Sequence, residues 1–368
     1  MKKDNQNPEL STPQKKALSR RGFINKTALI GTGLALAPVA LTAAPAGPNT
    51  TDRENDKSLR IAGETLQTSN DPTGEEFING LADLMSHSTR TPVLRWPSEY
   101  GMDYEEIFFP AMDGITIEGW FIPGKSNRLL IFNHPMPCNR YGYPGHLDPW
   151  KNFGGFEVNF LPEYKILHDA GYNIITYDMR NHGRSATGSG GVNGHGVLEY
   201  RDVIGSLRYA QSRPDTQNMI TALYSRCLGA NSTIVAMKKH PEEFKHVRAM
   251  IALQPVSPKV FVEKAVENQK ISGGNEMFAA AFHKNTGFHI KDVWPMEYAK
   301  AVTIPTLVAQ VHNDFLTKPS NVQEIYDTIS AKEKQLFWIE GTDQRFQGYN
   351  YFGSHPKLVL DWFDKYMA

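Results

Sequence analysis

The chain is predicted to be an α/β protein with a mostly parallel central sheet flanked by helices. Three observations carry that prediction. Compact apolar runs of buried-strand length recur from residue 128 onward: "RLLIFNHP", "YNIITYD", "MITALYS", "AMIALQP", "TLVAQVH" and "QLFWIEG". Segments with a period near 3.6, such as "FLPEYKILHDA" and "YRDVIGSLRYAQSR", separate them, which is the alternation expected of strands joined by crossover helices. Between Pro255 and Ile304 lies a longer interval with helical patches and no strand. It is read as a helical cap, at about 256–302, inserted between two strands.

Taken in order, the N-terminus is read as a signal of residues 1–46. "SRRGFINK" (Ser19 to Lys26) precedes the charge-free apolar run Thr27 to Ala46, and the end Ala44-Pro45-Ala46 has the small-residue character of a cleavage site. The paired arginines point to twin-arginine export, with the translocation machinery as partner and a periplasmic or secreted location. A membrane span needs ~20 uninterrupted apolar residues, and this run is broken by Gly and Pro. Residues 47–95 are polar, a linker and N-terminal arm with one helical pattern in "EEFINGLADLMSHS". The remaining domain, 96–368, opens with two alternating runs joined at Asp113-Gly114, a hairpin signal.

Composition narrows the function classes. Lys+Arg and Asp+Glu are equal at 39 each, which removes the electrostatic case for a nucleic-acid partner. The two cysteines, Cys138 and Cys227, make no disulfide scaffold, and no CxxC or HExxH spacing suggests zinc. No cofactor or metal is implied.

The chemistry-bearing stretch is "YSRCLGANS", Tyr224 to Ser232. An apolar strand ends at Tyr224, a tight turn follows, and a helix-compatible run of small residues comes next. Ser225, Cys227 and Gly229 occupy the small-x-nucleophile-x-Gly positions of a nucleophile elbow, where a sharp strand-to-helix turn leaves no room for larger neighbours. A helix N-terminus at that point favours negative charge on the sulfur. The alternative is an ordinary buried cysteine on a packed strand end.

Together with "HDAGYNIITYDMRNHGRS", which carries Asp178, Arg180, His182, Gly183 and Ser185, this elbow resembles the α/β-hydrolase superfamily over roughly residues 100 to 368. A cysteine nucleophile is similar to that of dienelactone hydrolases, with serine here in place of their first glycine. The resemblance implies an α/β-hydrolase fold and a Cys-His-Asp triad. Asp314, after the apolar strand "PTLVAQVH", takes the acid position, with His312 and Asn313 as local alternatives. The base departs from the pattern: the first histidine after the last strand is His355, fourteen residues beyond Gly341. It is read either as the base, reached by a folded-back loop, or as a histidine at the start of the final helix. The implied oxyanion hole combines the Leu228 N–H with one from "NHPMPCNRYGYPG", where Pro135 and Pro137 have none to give, leaving Met136, or else Cys138. Asn139, Arg140 and Tyr141 are expected to line the mouth and bind a polar or anionic group of the substrate, with His134 beside them. The Gly-rich segment Ser185 to Gly196, which contains His195, reads as a flexible loop.

The leading expectation is thus an exported hydrolase of a small-molecule acyl substrate, cleaving an ester, lactone or thioester through a thioacyl intermediate on Cys227. Acyl transfer by the same cysteine is the first rival. A non-catalytic binding protein on the same fold is the second, with Phe346, Tyr349, Tyr351 and Phe352 as its ligand wall.

Overall fold

The computed structural model describes residues 73–151, 153–293 and 296–368. The export signal and most of the arm read from the sequence lie outside them. Helix α1 (Gly74–Ser86) begins with a capping box, in which the Thr73 hydroxyl accepts from the Glu76 amide and the Glu76 carboxylate from the Thr73 amide. Its pairs Phe77/Ile78, Leu81/Ala82 and Leu84/Met85 recur at helical spacing and are buried together.

Strands β1 (Glu105–Pro110) and β2 (Thr116–Ile122) form the hairpin expected at Asp113-Gly114, with Gly114 at φ 86°. Strand β3 (Arg128–Asn133) is followed by a small two-stranded pair, β4 (Gly142–Tyr143) and β5 (Val158–Asn159), and by helix α2 (Leu161–Asp169). The alternation then continues through β6 (Asn173–Tyr177), α3 (Tyr200–Ser212), β7 (Ile220–Arg226), α4 (Leu228–Lys239) and β8 (Val247–Leu253). Helices α5 (Pro258–Gln269), α6 (Gly274–Thr286) and the short α7 (Met296–Ala299) occupy the strandless interval. The chain closes with β9 (Thr306–Val311), α8 (Pro319–Thr328), β10 (Lys334–Ile339), two single turns α9 (Arg345–Gly348) and α10 (Tyr351–Ser354), and α11 (Lys357–Tyr366).

Eight strands make the main sheet in the order β1-β2-β6-β3-β7-β8-β9-β10, parallel except for the antiparallel β1/β2 and β2/β6 pairs. Successive residues of a strand supply opposite faces, which explains the unbroken apolar runs: Leu129, Ile131 and Leu223 pack with α3, α4 and α8, while Leu130, Phe132 and Tyr224 pack with α2 and α11. A third cluster joins α1 to α5 and α6 through Phe77, Leu81, Val262, Phe278 and Phe282. This is the α/β-hydrolase fold. The sheet order reverses around β3, whose neighbours are β6 and β7, so the loops leaving β3 and β7 diverge and open a crevice at their carboxyl ends.

Candidate active site

Cys227 stands at that crevice, between the last residue of β7 and the first of α4. Its backbone is held at φ 46°, ψ −106°, a conformation costly for any residue with a Cβ. Hydrogen bonds on both sides impose it: Cys227 N–H donates to the Leu253 carbonyl (2.9 Å), and its own carbonyl accepts from Asn231 N–H (2.9 Å). The small neighbours have separate reasons. A Cβ on Gly229 would lie 2.4 Å from the Asn133 carbonyl oxygen, so only glycine lets α4 start against the end of β3. Ser225 joins a buried hydroxyl-amide network with Asn133 (2.8 Å) and Thr233 (2.9 Å). Arg226, between them, is fully buried, paired with Glu163 at 2.6 Å and lying over the rings of Tyr224 and Phe160.

The side chain beside Cys227 is not the expected imidazole. Arg345, on the first turn after β10, has a buried guanidinium that interacts with the Cys227 thiol, as does the Tyr349 hydroxyl. Arg345 Nη1 donates to Asp314 Oδ2 (2.9 Å), Nε to the Tyr349 hydroxyl (3.1 Å), and Nη2 to the Gln254 carbonyl. Gln254 holds a left-handed φ of 56° while its side chain donates to the Arg345 carbonyl at 2.8 Å. Burial works against the Arg345 charge, but Tyr349, Cys227 and Asp314 offset it and hold the guanidinium above its ordinary range. Asp314 is buried just past β9 and also accepts from Gln310 (3.0 Å), Thr317 (2.8 Å) and the Leu316 amide (3.0 Å). The structure therefore sets a Cys-Arg-Asp row where Cys-His-Asp was expected.

His355 does not reach this row. It is exposed at the junction of α10 and α11, its ring stacked on Tyr351 (4.2 Å) and Nδ1 donating to the Tyr351 carbonyl (3.1 Å). The short turn α10 ends there and Pro356 starts the last helix, so the loop that was to fold it back is already spent on helical turns. His312 is also at the surface, paired with Glu340 and stacked on Trp338.

The loop after β3 divides in two. Met136 and Pro137 face a cavity shared with Cys227 and Leu228. Among the described residues neither the Leu228 N–H nor the Met136 N–H is taken by an acceptor. The next residues turn inward instead of lining the mouth. Asn139 is buried and donates to the Thr91 and Pro92 carbonyls. Arg140 is buried against Glu118 and Asp178 with its guanidinium over Trp120, and Tyr141 is buried beside it. His134 accepts the Met179 N–H at Nε2 (2.8 Å), so its Nδ1 carries the proton and donates to the Pro135 carbonyl (2.9 Å). Burial pushes its pKa down to about 4. These four tie the β3 loop to its neighbours. Cys138 is a buried free thiol on the same loop.

The cavity is apolar over most of its wall. Leu84 and Met85 of α1, Val256, Pro258 and Phe261 at the start of the cap, and the stacked pair Phe153 and Phe346 (4.2 Å) supply it. Of the aromatic residues expected as a ligand wall, Phe346 alone lines it; Tyr349 lies behind Arg345, and Tyr351 and Phe352 pack on Phe337. Its polar groups are Cys227, Arg345, Asn231 and His195. The His195 loop is not the flexible segment its glycines suggest: Glu199 accepts from both flanking amides, Gly194 and Gly196, at 2.8 Å each.

No family model matches the chain, and no curated protein matches it. Solved structures do. An esterase of Pyrococcus furiosus, Pf2001, aligns over 77% of this chain and 99% of its own with a TM-score of 0.59 and 18% identity. The α/β hydrolase GrgF of Penicillium sp. sh18 aligns over 72% of this chain and 99% of its own, with a TM-score of 0.52 and 15% identity. An acylaminoacyl peptidase of Pyrococcus horikoshii gives 0.50 and 14%, over 72% of this chain and 42% of its own. At these identities the likeness is one of fold.

Proposed function

We propose that Cys227 is an acyl-accepting nucleophile and that the protein is an exported hydrolase of thioesters and activated esters. The observation that carries this reading is the strained backbone of Cys227 at the start of α4, facing an apolar cavity beside two free amides, Leu228 and Met136. Strain of that kind persists where surrounding structure over-determines it, and here it presents a sulfur to a cavity. In the acylation step Cys227, its proton already given up to solvent, attacks the carbonyl carbon as the thiolate, and the Leu228 and Met136 N–H groups receive the oxyanion. The carbon–leaving-group bond then breaks with its electron pair on the leaving group. Arg345 remains protonated throughout and faces the charge on sulfur, while Asp314 and the Gln254 carbonyl hold it in place.

Leaving-group chemistry follows from that partner. A histidine beside the nucleophile would hand a proton to a departing alkoxide, whereas a guanidinium held above its ordinary range is a poor proton donor. Thiolates and aryl oxides depart without one. Export rests on the twin-arginine pattern at Arg20 and Arg21.

The test compares an acetyl thioester, p-nitrophenyl acetate and ethyl acetate with the mature protein and with Cys227→Ala. Release of thiol and nitrophenol by the parent alone, with ethyl acetate inert, is the expected result. Equal cleavage by Cys227→Ala, or ethyl acetate as the best substrate, overturns the reading. Binding of acyl compounds with no release from any of them would point to the ligand-binding alternative.

A further inference from the structure

In the Cys227-Arg345-Asp314 row the Asp314 carboxylate is taken up by Arg345, Gln310, Thr317 and the Leu316 amide, yet a thioacyl enzyme needs a group that takes a proton from water to turn over. We propose that His195, on the loop between β6 and α3, is the base for the deacylation step, accepting at Nδ1 the proton of the water that attacks the Cys227 thioester. This rests on the acyl-enzyme reading given above. His195 lines the same cavity as Cys227, Leu228 and Met136 and is the imidazole that does so among the described residues. Its Nε2 donates to the carbonyl of Met85 in α1 (2.8 Å), and a neutral imidazole with that proton carries its lone pair on Nδ1.

The position is built. His195 holds a φ of 50°, in the left-handed region unusual for a residue with a side chain, and the Glu199 carboxylate clamps the amide on each side of it. Its own amide donates to Asn193 Oδ1 at 2.9 Å. Gly196, at φ 117°, brings the loop against α4, where a Cβ would stand 3.0 Å from the Asn231 carbonyl carbon, one turn beyond Cys227. Such over-determined strain is the kind that clusters at working sites. Burial pushes the ring pKa down to about 4, so the ring enters the step neutral and holds the proton it takes only transiently before passing it on.

The step balances. The water oxygen bonds to the carbonyl carbon as a proton passes to Nδ1; the carbon–sulfur bond breaks with its pair on Cys227 Sγ. The products are a carboxylic acid, a thiolate facing Arg345 and an imidazolium that gives its proton to solvent. His195 thereby serves the second half-reaction and leaves the first to Cys227.

The experiment follows the acyl-enzyme by intact-protein mass spectrometry after a pulse of p-nitrophenyl acetate, in the parent and in His195→Gln, whose amide can still donate toward Met85. The expected result is acylation in both, with loss of the acyl group slowed about 10²-fold in the variant. Hydroxylamine, a nucleophile that needs no base, should then strip both proteins at similar rates. A merely structural histidine would not separate these readouts. Should the glutamine variant fail to fold, His195→Ala is assayed with added imidazole, which is expected to restore decay. A folded, acylating variant that deacylates at the parent rate overturns the proposal. No adduct on either protein with any ester or thioester removes the acyl-enzyme reading itself, and this inference with it.

Discussion

Two buried arginines at the carboxyl edge of the sheet differ in a way that separates scaffold from site. Arg180, just past β6, donates to two carboxylates: Nε and Nη2 to Asp202, Nη1 and Nη2 to Asp113, all at 2.8–2.9 Å. Arg345 has one carboxylate, Asp314, and fills its other contacts with a carbonyl, a phenol and the Cys227 thiol. Counting formal charges, Arg180 faces two anions and Arg345 faces one with room for a second. A thiolate on Cys227 would bring the two clusters to the same balance. The first arginine is saturated and holds loops together; the second keeps a place for negative charge next to a cavity.

The largest expected effect separates the clusters outright. Cys227→Ala should abolish acyl-group uptake and lower turnover by about 10³-fold or more, with the melting temperature little changed. Next, Arg345→Ala and Arg180→Ala should each destabilise by about 3–5 kcal/mol, because each leaves a buried carboxylate without its partner. Denaturant titration measures that loss. The two should diverge in chemistry: iodoacetamide should label Cys227 more slowly in folded Arg345→Ala and at the parent rate in Arg180→Ala. Equal labelling in both would remove the distinction.

A smaller effect comes from packing. Gly229→Ala should cost about 1–3 kcal/mol, since its methyl would meet the Asn133 backbone at 2.4 Å, and should lower acylation by moving the elbow. Stability also depends on pH through the buried histidines. Burial lowers the pKa of His134 and His195 to about 4 and of His182 to about 3, so the folded state binds fewer protons than the unfolded state, whose histidines titrate near 6.5. Their contribution is present above pH 6.5 and is lost as pH falls toward 4, at about 1.4 kcal/mol per pH unit per histidine once titrating. Asp202, raised by burial to about 6, and Asp178, also raised by burial, run the other way, but they are two groups against three. The denaturant midpoint should therefore fall between pH 7 and pH 5, and a midpoint that rises would contradict the burial of these rings. The smallest effect belongs to His355→Ala, expected to change acylation and stability within about 0.5 kcal/mol, as for a surface substitution.

The sheet was legible because buried parallel strands are continuous apolar runs, and the elbow because Ser225, Cys227 and Gly229 must be small where α4 meets β3. The partner of the cysteine was not. "TDQR" after the last strand looks like a solvated loop, and nothing in the residue order says that the Arg345 guanidinium turns inward to Asp314. A search for imidazole alone passes over it to His355, whose exposure is a tertiary property. Asn139, Arg140 and Tyr141 misled for the same reason: polar residues after a strand read as a mouth until Glu118, Asp178 and the Thr91 carbonyl are seen to hold them inside. His195 carried a usable signal in its setting, "NGHG" followed by Glu199, a glycine-flanked residue with a carboxylate near enough to clamp the turn.

The most direct measurement is peptide mapping of the protein quenched in acid seconds after mixing with an acetyl thioester, beside Cys227→Ala and His355→Ala. An acetyl group is expected on the peptide containing Cys227, absent from Cys227→Ala and retained in His355→Ala. An acetyl group on another residue, or its loss in His355→Ala, would contradict Cys227 as a nucleophile that works without His355.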